Sequence, residues 1–195
     1  MFYRIAYYMI KLVSICFFPL RVTGRENIPA RGAFILASNH ISNIDPFAIG
    51  LAAYRTISYM AKDTLFKNRV AAFFLSLVQA YPIRRESSDI RSLRETFRRL
   101  KSGMPVLVFP QGSRETVRGA GKVYTGVGFL AVKTGAPVIP VFISNSDKVL
   151  PPKARFFRRG LVHIRFGAPC SFSADEDYDT AANVIMSEVQ KLAAE

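Results

Sequence analysis

An α/β fold is what this 195-residue chain predicts: a single domain with a central mixed, largely parallel sheet flanked by helices. Three observations carry that expectation. Short apolar runs of strand length, such as Ala33–Ala37 and Val138–Ile143, alternate with stretches of helical periodicity. Glycine and proline punctuate the alternation, and no linker, internal repeat or low-complexity tract divides it. The length suits one buried core.

The opening segment stands apart from that pattern. Met1–Leu20 is nearly all apolar or aromatic, broken by Arg4, Lys11 and Ser14. On a helix Arg4 and Lys11 share a face, with Ser14 less than a quarter turn away. That arrangement favours a helix lying in a membrane interface over one spanning it. Residues 1–22 are therefore read as a membrane-associated helix, and 23–195 as the folded domain.

Thr23–Arg31 reads as a loop, followed by the strand ending at Ala37 and a helix from Pro46 to about Tyr54. Ile57–Ala61 is the next strand, ending in Lys62. A sparsely charged helix, Leu65–Gln79, carries Phe66, Val70, Phe73, Phe74 and Leu77, a stripe that reads as core or as a wall for an acyl chain. Tyr81–Ile83 is extended and leads into Arg84 and Arg85. Ser87 or Ser88 caps a helix with Asp89 at its positive end. Ile90, Leu93, Phe97 and Leu100 form its buried stripe, and Gly103 stops it. Arg91, Arg94, Arg98 and Lys101 line the other side, either a solvated face or one turned toward anionic headgroups. Met104–Phe109 is a strand, a helix ends near Thr134, and Val138–Ile143 is a strand whose Pro140 argues for an edge, a bulge or a bend. Phe156 and Phe157, among arginines, fit either an interface contact or the core. Leu161–Phe166 is a strand with His163 on its polar face, and Asp177–Ala194 is a helix with Ile185, Val189 and Leu192 inward.

Charge narrows the partners. Lys and Arg number 27 against 14 Asp and Glu, a net +13, while half the residues are hydrophobic. Such a surface seeks an anionic partner, and so much apolar surface favours an anionic membrane over nucleic acid. Cys16 and Cys170 form no metal or redox motif, which fits a chain in a reducing compartment.

The chemistry centres on Ser38–Asp45, SNHISNID. His40 ends a strand, and Pro46 makes Asp45 the expected N-cap of the next helix. On a continuous helix the two side chains would diverge by about 140°. A turn at Ser42–Asn43 would let the carboxylate fold back on the imidazole, leaving the other ring nitrogen as a general base. On spacing alone the same residues read equally as a polar turn with an incidental histidine. Other chemistries lack their motifs: there is no phosphate-binding Gly-Lys-Ser/Thr loop, no GxGxxG after a strand, no CxxC and no GxSxG elbow. No metal site is expected. Lys62, Arg85 and Arg114 follow strand-like segments, and sites in α/β sheets gather at carboxyl ends of strands. A base among fixed cations suits attack by a hydroxyl on an activated acyl group within a phosphate-bearing substrate.

These pieces resemble the glycerolipid acyltransferases, the 1-acylglycerol-3-phosphate acyltransferase (PlsC) group. Asn39-His40 with Asp45 is similar to the family's NHx4D motif, and Phe109-Pro110-Gln111-Gly112-Ser113-Arg114 to its FPEGTR block. Tyr81–Arg85 resembles the block between them, Val138–Val141 a later proline-containing one, and Phe166–Pro169 a late strand. The resemblance implies that His40, oriented by Asp45, deprotonates a lysophospholipid hydroxyl, which attacks the thioester of acyl-CoA or acyl carrier protein. It implies phosphate binding by Arg85, Arg114 and Lys62, close approach at Gly112, and neither metal nor cofactor. It also implies a place at the membrane, expected to be the cytoplasmic face of the plasma (inner) membrane. Gln111 replaces the family's Glu, Ser113 replaces Thr, and Arg84 adds positive charge. The first keeps an oxygen acceptor but loses its charge, which bears on acceptor identity more than on the His–Asp pair. Another lyso-aminolipid or glycerol 3-phosphate as acceptor, or a non-catalytic basic membrane-binding protein, are the competing readings. A nucleic-acid binder is third, since no aromatic residues interleave the basic stripe for base stacking.

Overall fold

Each apolar run of strand length takes a place in one sheet, and helices carry the chain between parallel strands. The computed structural model describes residues 2–83, 90–112, 123–151, 154 and 156–194. In chain order its elements are α1 Phe2–Phe17, β1 Leu20–Thr23, β2 Ile35–Ser38, α2 Asp45–Ala53, β3 Ser58–Lys62, α3 Arg69–Leu77 and β4 Ala80–Ile83. They continue with α4 Ile90–Lys101, β5 Val106–Val108, α5 Gly126–Thr134, β6 Val138–Ser144, α6 Ser146–Val149, β7 Val162–Phe166 and α7 Tyr178–Lys191.

The sheet has seven strands in the order β1-β7-β6-β2-β5-β3-β4. β6 and β7 are antiparallel, and the other neighbouring pairs are parallel. The five strands from β6 to β4 thus end on one edge. Alternation along β2 divides the core. Phe34 and Leu36 pack with Phe18 and with Ile49 and Ala52 of α2. Ile35 and Ala37 pack on the opposite face with Leu130, Ala131 and Ile185 of α5 and α7. At Gly128 a Cβ would sit 2.0 Å from the Tyr178 carbonyl oxygen, so α5 and α7 meet backbone to backbone.

Several expectations change. Leu20–Thr23 leaves the opening apolar run and pairs with Val162–Arg165, so the sheet recruits residues expected in a helix and a loop. Pro140 lies in β6, an interior strand, not an edge. Its carbonyl accepts from Gly167, just past the end of β7, so its missing N–H falls where the antiparallel ladder has stopped. The stretch read as one helix from Leu65 splits into a 3-10 turn at Asp63–Phe66 and α3, which Asn68 caps through Val70 and Ala71 N–H. Its Val70, Phe73 and Phe74 face outward, 56–65% exposed, not into the core. Ile90 is exposed as well, whereas Leu100 is buried as expected. The capping serines 87 and 88, Asp89 and Arg84 lie outside the described residues.

Candidate active site

The site begins where β2 runs out. Asn39 continues the pairing with β6 by side chain: its Nδ2 donates to the Ile143 carbonyl (2.9 Å) and its Oδ1 accepts from Ile143 N–H (2.8 Å). This clamp fixes the backbone entering His40. The chain then turns back, and Asp45 Oδ2 faces His40 Nδ1 at 2.8 Å. The same oxygen accepts from the N–H groups of Ile41 and Ser42, each at 2.8 Å. An oxygen that takes two backbone N–H bonds is an acceptor, so the imidazole donates from Nδ1 and keeps Nε2 for chemistry. Asp45 is wholly buried and His40 nearly so, at 0% and 5% exposure. Ser42 Oγ ties the turn to the Leu150 carbonyl at 2.9 Å.

Asp45 is therefore not the N-cap. Helix geometry already holds at Ile44, Asp45 is the first residue of α2, and its carboxylate points upstream, occupied by His40 and the turn. Pro46 sits in the first turn, where its missing N–H costs nothing.

β5, beside β2, supplies the second wall. The Phe109 ring stacks on His40, with centroids 4.1 Å apart and planes at 18°. The chain then turns, Gly112 N–H donating to the Phe109 carbonyl at 2.9 Å. Gly112 has φ +69°, and a Cβ there would lie 2.8 Å from the Tyr124 ring, so the turn favours glycine on two counts. Gln111 is buried, and its Oε1 has no partner among the described residues. Burying an acceptor without a donor costs about 1–3 kcal/mol, so a ligand donor at this position would be rewarded.

Lys62 is exposed at the end of β3, paired in register with Ile83 at the end of β4. β3 lies two strands from β2, roughly 10 Å across the edge. The structure thus brings His40, Asp45, Gln111, Gly112 and Lys62 to one edge of the sheet. Arg85, Ser113 and Arg114 lie outside the described residues. His163 is half-buried on β7 opposite Ser144, two strands from β2 and outside this turn. No group of three or more His, Cys, Asp or Glu suited to a metal occurs among the described residues. Sequence reasoning placed Ser42 in the turn without its bond to Leu150, and gave no separate role to Asn39 or Phe109. Asn39 and Phe109 stand inside the very blocks that drew attention, which was the available signal.

A buried histidine oriented by a carboxylate at the carboxyl edge of a mixed α/β sheet is an arrangement suited to proton transfer in a group-transfer enzyme. Residues 19–144 match the Acyltransferase family, and the chain belongs to it. It is 30% identical over 154 residues to the 1-acyl-sn-glycerol-3-phosphate acyltransferase of Bacillus subtilis, covering 77% of this chain and 73% of that one. A chloroplastic 1-acyl-sn-glycerol-3-phosphate acyltransferase of Arabidopsis thaliana is 24% identical over 183 residues, 92% of this chain and 49% of its own. The chain thus spans about half the length of that plant relative. The crystal structure of the Thermotoga maritima acyltransferase PlsC superposes with a TM-score of 0.76 at 28% identity, covering 99% of this chain and 80% of that one.

Proposed function

We propose that the protein is a 1-acylglycerol-3-phosphate O-acyltransferase, moving a fatty acyl group from acyl-CoA or acyl carrier protein to the free hydroxyl and giving phosphatidic acid. The observation that carries this is the buried His40–Asp45 pair in a chain of the Acyltransferase family. His40 Nε2 takes the hydroxyl proton as the oxygen attacks the thioester carbon, and Asp45 stabilises the imidazolium. Collapse of the tetrahedral intermediate breaks the carbon–sulfur bond, and the leaving thiolate takes the proton back from His40. No acyl-enzyme and no metal enter the scheme. Lys62, Arg85 and Arg114 hold the substrate phosphate as charge-assisted partners. Gln111, Gly112 and Ser113 form the loop beside the glycerol, where the orphaned Gln111 Oε1 accepts from a substrate hydroxyl.

The outer surface supports work at an anionic membrane. No helix among the described residues is long and apolar enough to cross one. In α1 the polar Ser14 turns inward, its Oγ donating to the Phe18 carbonyl, while Met9, Leu12 and Ile15 are 64–65% exposed. Lys11 is also exposed; the Arg4 side chain lies outside the description. The exposed Phe73 and Phe74 lie on the same side of the sheet, and Phe156 is 83% exposed beside Phe157, which rests against Phe17 and Phe18. A helix that exposes large apolar side chains with a lysine among them suits the membrane interface. This reading puts the protein on the cytoplasmic face of the plasma (inner) membrane.

The test is thiol release from acyl-CoA by the purified protein in detergent, with and without lysophosphatidic acid. Release that requires the acceptor, with phosphatidic acid as product, is the expected result. Release without acceptor would make the protein a thioesterase. Release only with glycerol 3-phosphate or a lyso-aminolipid would reassign the acceptor, and silence with all donors and acceptors would leave a membrane-binding protein.

A further inference from the structure

The strongest charged surface outside the site lies on α4. Five of its residues are basic, Arg91, Arg94, Arg98, Arg99 and Lys101, against Glu95 as the one acid. Glu95 pairs with Arg98 at 2.9 Å and with Arg99 at 2.8 Å. Arg99 turns inward, donating to Ser58 Oγ and the Gln79 carbonyl and lying over the Tyr81 ring. Arg91, Arg94 and Lys101 are exposed, the Lys101 ammonium 5.7 Å from the Phe97 ring centroid, and Ile90 beside them is 66% exposed although sequence periodicity assigns it to the core. An aliphatic anchor edged by cations has the make-up of a protein-docking patch, apolar at its centre and polar at its rim.

The fold decides the partner. α4 follows β4, so it starts at the edge that carries His40 and Gln111 and runs about 18 Å down the flank of the sheet. It packs on the Ile35 and Ala37 face, through Leu93, Phe97 and Leu100. The exposed apolar residues of α1 and α3 lie over the opposite face, where Phe18, Leu75 and Val78 pack. Two helix layers, each about 10 Å across, separate these outer surfaces, well beyond the ~8 Å screening length of physiological salt. A bilayer against α1 and α3 leaves the outer flank of α4 turned toward water, away from the headgroups those helices meet. Its partner is then soluble and acidic.

We propose that Ile90, Arg91, Arg94 and Lys101 dock the acidic carrier protein that presents the acyl thioester on its flexible pantetheine arm. This rests on the acyl-transfer reading above, and places the carrier on the flank whose upper end opens on His40. Charge at the rim of such a surface acts on encounter rate and salt dependence.

The test compares wild type with the triple variant Arg91→Glu/Arg94→Glu/Lys101→Glu, and with Ile90→Ser. Fluorescence anisotropy of a labelled, palmitoyl-loaded acyl carrier protein reads docking without turnover; thiol release from palmitoyl carrier protein and from palmitoyl-CoA reads transfer. Circular dichroism melts confirm that the variants fold. Expected are carrier binding weakened about tenfold or more in the triple variant, wild-type binding that falls steeply with salt, and palmitoyl-CoA turnover within about twofold of wild type. Unchanged carrier binding, or equal loss with both donors, would overturn the proposal. Loss of binding to phosphatidylglycerol vesicles with carrier binding intact would also overturn it, in favour of headgroup contact. Carrier binding that is lost in the variant while neither donor is turned over would uphold the docking surface and count against acyl transfer.

Discussion

Two turns meet at this edge of the sheet, and they differ in how firmly their side chains are tied down. The turn after β2 ties most of its polar groups down: Asn39 to Ile143, Ser42 to Leu150, and His40, Ile41 and Ser42 to Asp45 Oδ2, while Asp45 Oδ1 is buried without a partner among the described residues. The turn after β5 is held by a glycine and two backbone bonds, Gly112 N–H to the Phe109 carbonyl and Tyr124 N–H to the Pro110 carbonyl, and leaves Gln111 Oε1 buried without a partner among the described residues. A base must be held in one tautomer and one orientation before substrate arrives, and the three donors converging on Asp45 Oδ2 hold His40 so. A recognition loop gains by leaving something unsatisfied, because the ligand then completes it. On the proposed function, the first turn would carry the chemistry and the second the choice of acceptor.

Mutation should separate them too. Losing the base is the largest expected effect: His40→Ala should lower kcat by about 10³-fold or more in protein that is still folded, though less stable because Asp45 loses its buried partner. Asp45→Asn keeps the shape but removes the charge that fixes and stabilises the imidazolium, and should cost about 10²–10⁴-fold in kcat. Asn39→Ala strips both bonds from Ile143 and should lower stability by about 1–3 kcal/mol, read by urea melts, with a matching fall in kcat as the His40 backbone loosens. On the other turn, Gln111→Glu should leave kcat within about tenfold and act mainly on KM and on the ranking of lysolipid acceptors. If Gln111→Glu matched His40→Ala in kcat, the division between the two turns would fail.

The smallest effect lies far from both. The Asp177 carboxyl caps α7, and the Thr180 backbone N–H followed by its hydroxyl hold it below its ordinary ionisation range. A depressed carboxyl stabilises the fold above its unfolded pKa, near 4, and that contribution fades as pH falls through the folded value. Asp177→Ala should therefore lower the melting temperature slightly at pH 7 and have less effect below about pH 4, which a pair of melting curves would check.

The sequence made the alternating elements legible because each strand and helix carries its own periodicity, and it made His40 and Asp45 legible because a proline marks where the helix starts. It hid whatever depends on which apolar environment a residue meets. Leu20–Thr23 looks like the tail of an apolar helix yet adds a strand to the sheet. Phe73 and Phe74 have the spacing of a core stripe and face out, since periodicity separates apolar from polar faces without telling core from membrane. Pro140 sits inside the sheet because β7 stops one residue short of it, and the length of a partner strand is not written at the proline. The Asn39 clamp depends on β6, about a hundred residues downstream, and no local rule reaches that far.

The most direct test of the His40–Asp45 mechanism is acceptor-dependent thiol release from acyl-CoA by wild type, His40→Ala and Asp45→Asn, with each sample's melting curve and lysophosphatidate binding measured alongside. A base held by a carboxylate predicts folded variants that still bind lysophosphatidate and release thiol at least about 10²-fold more slowly. Wild-type rates from folded His40→Ala protein would contradict it.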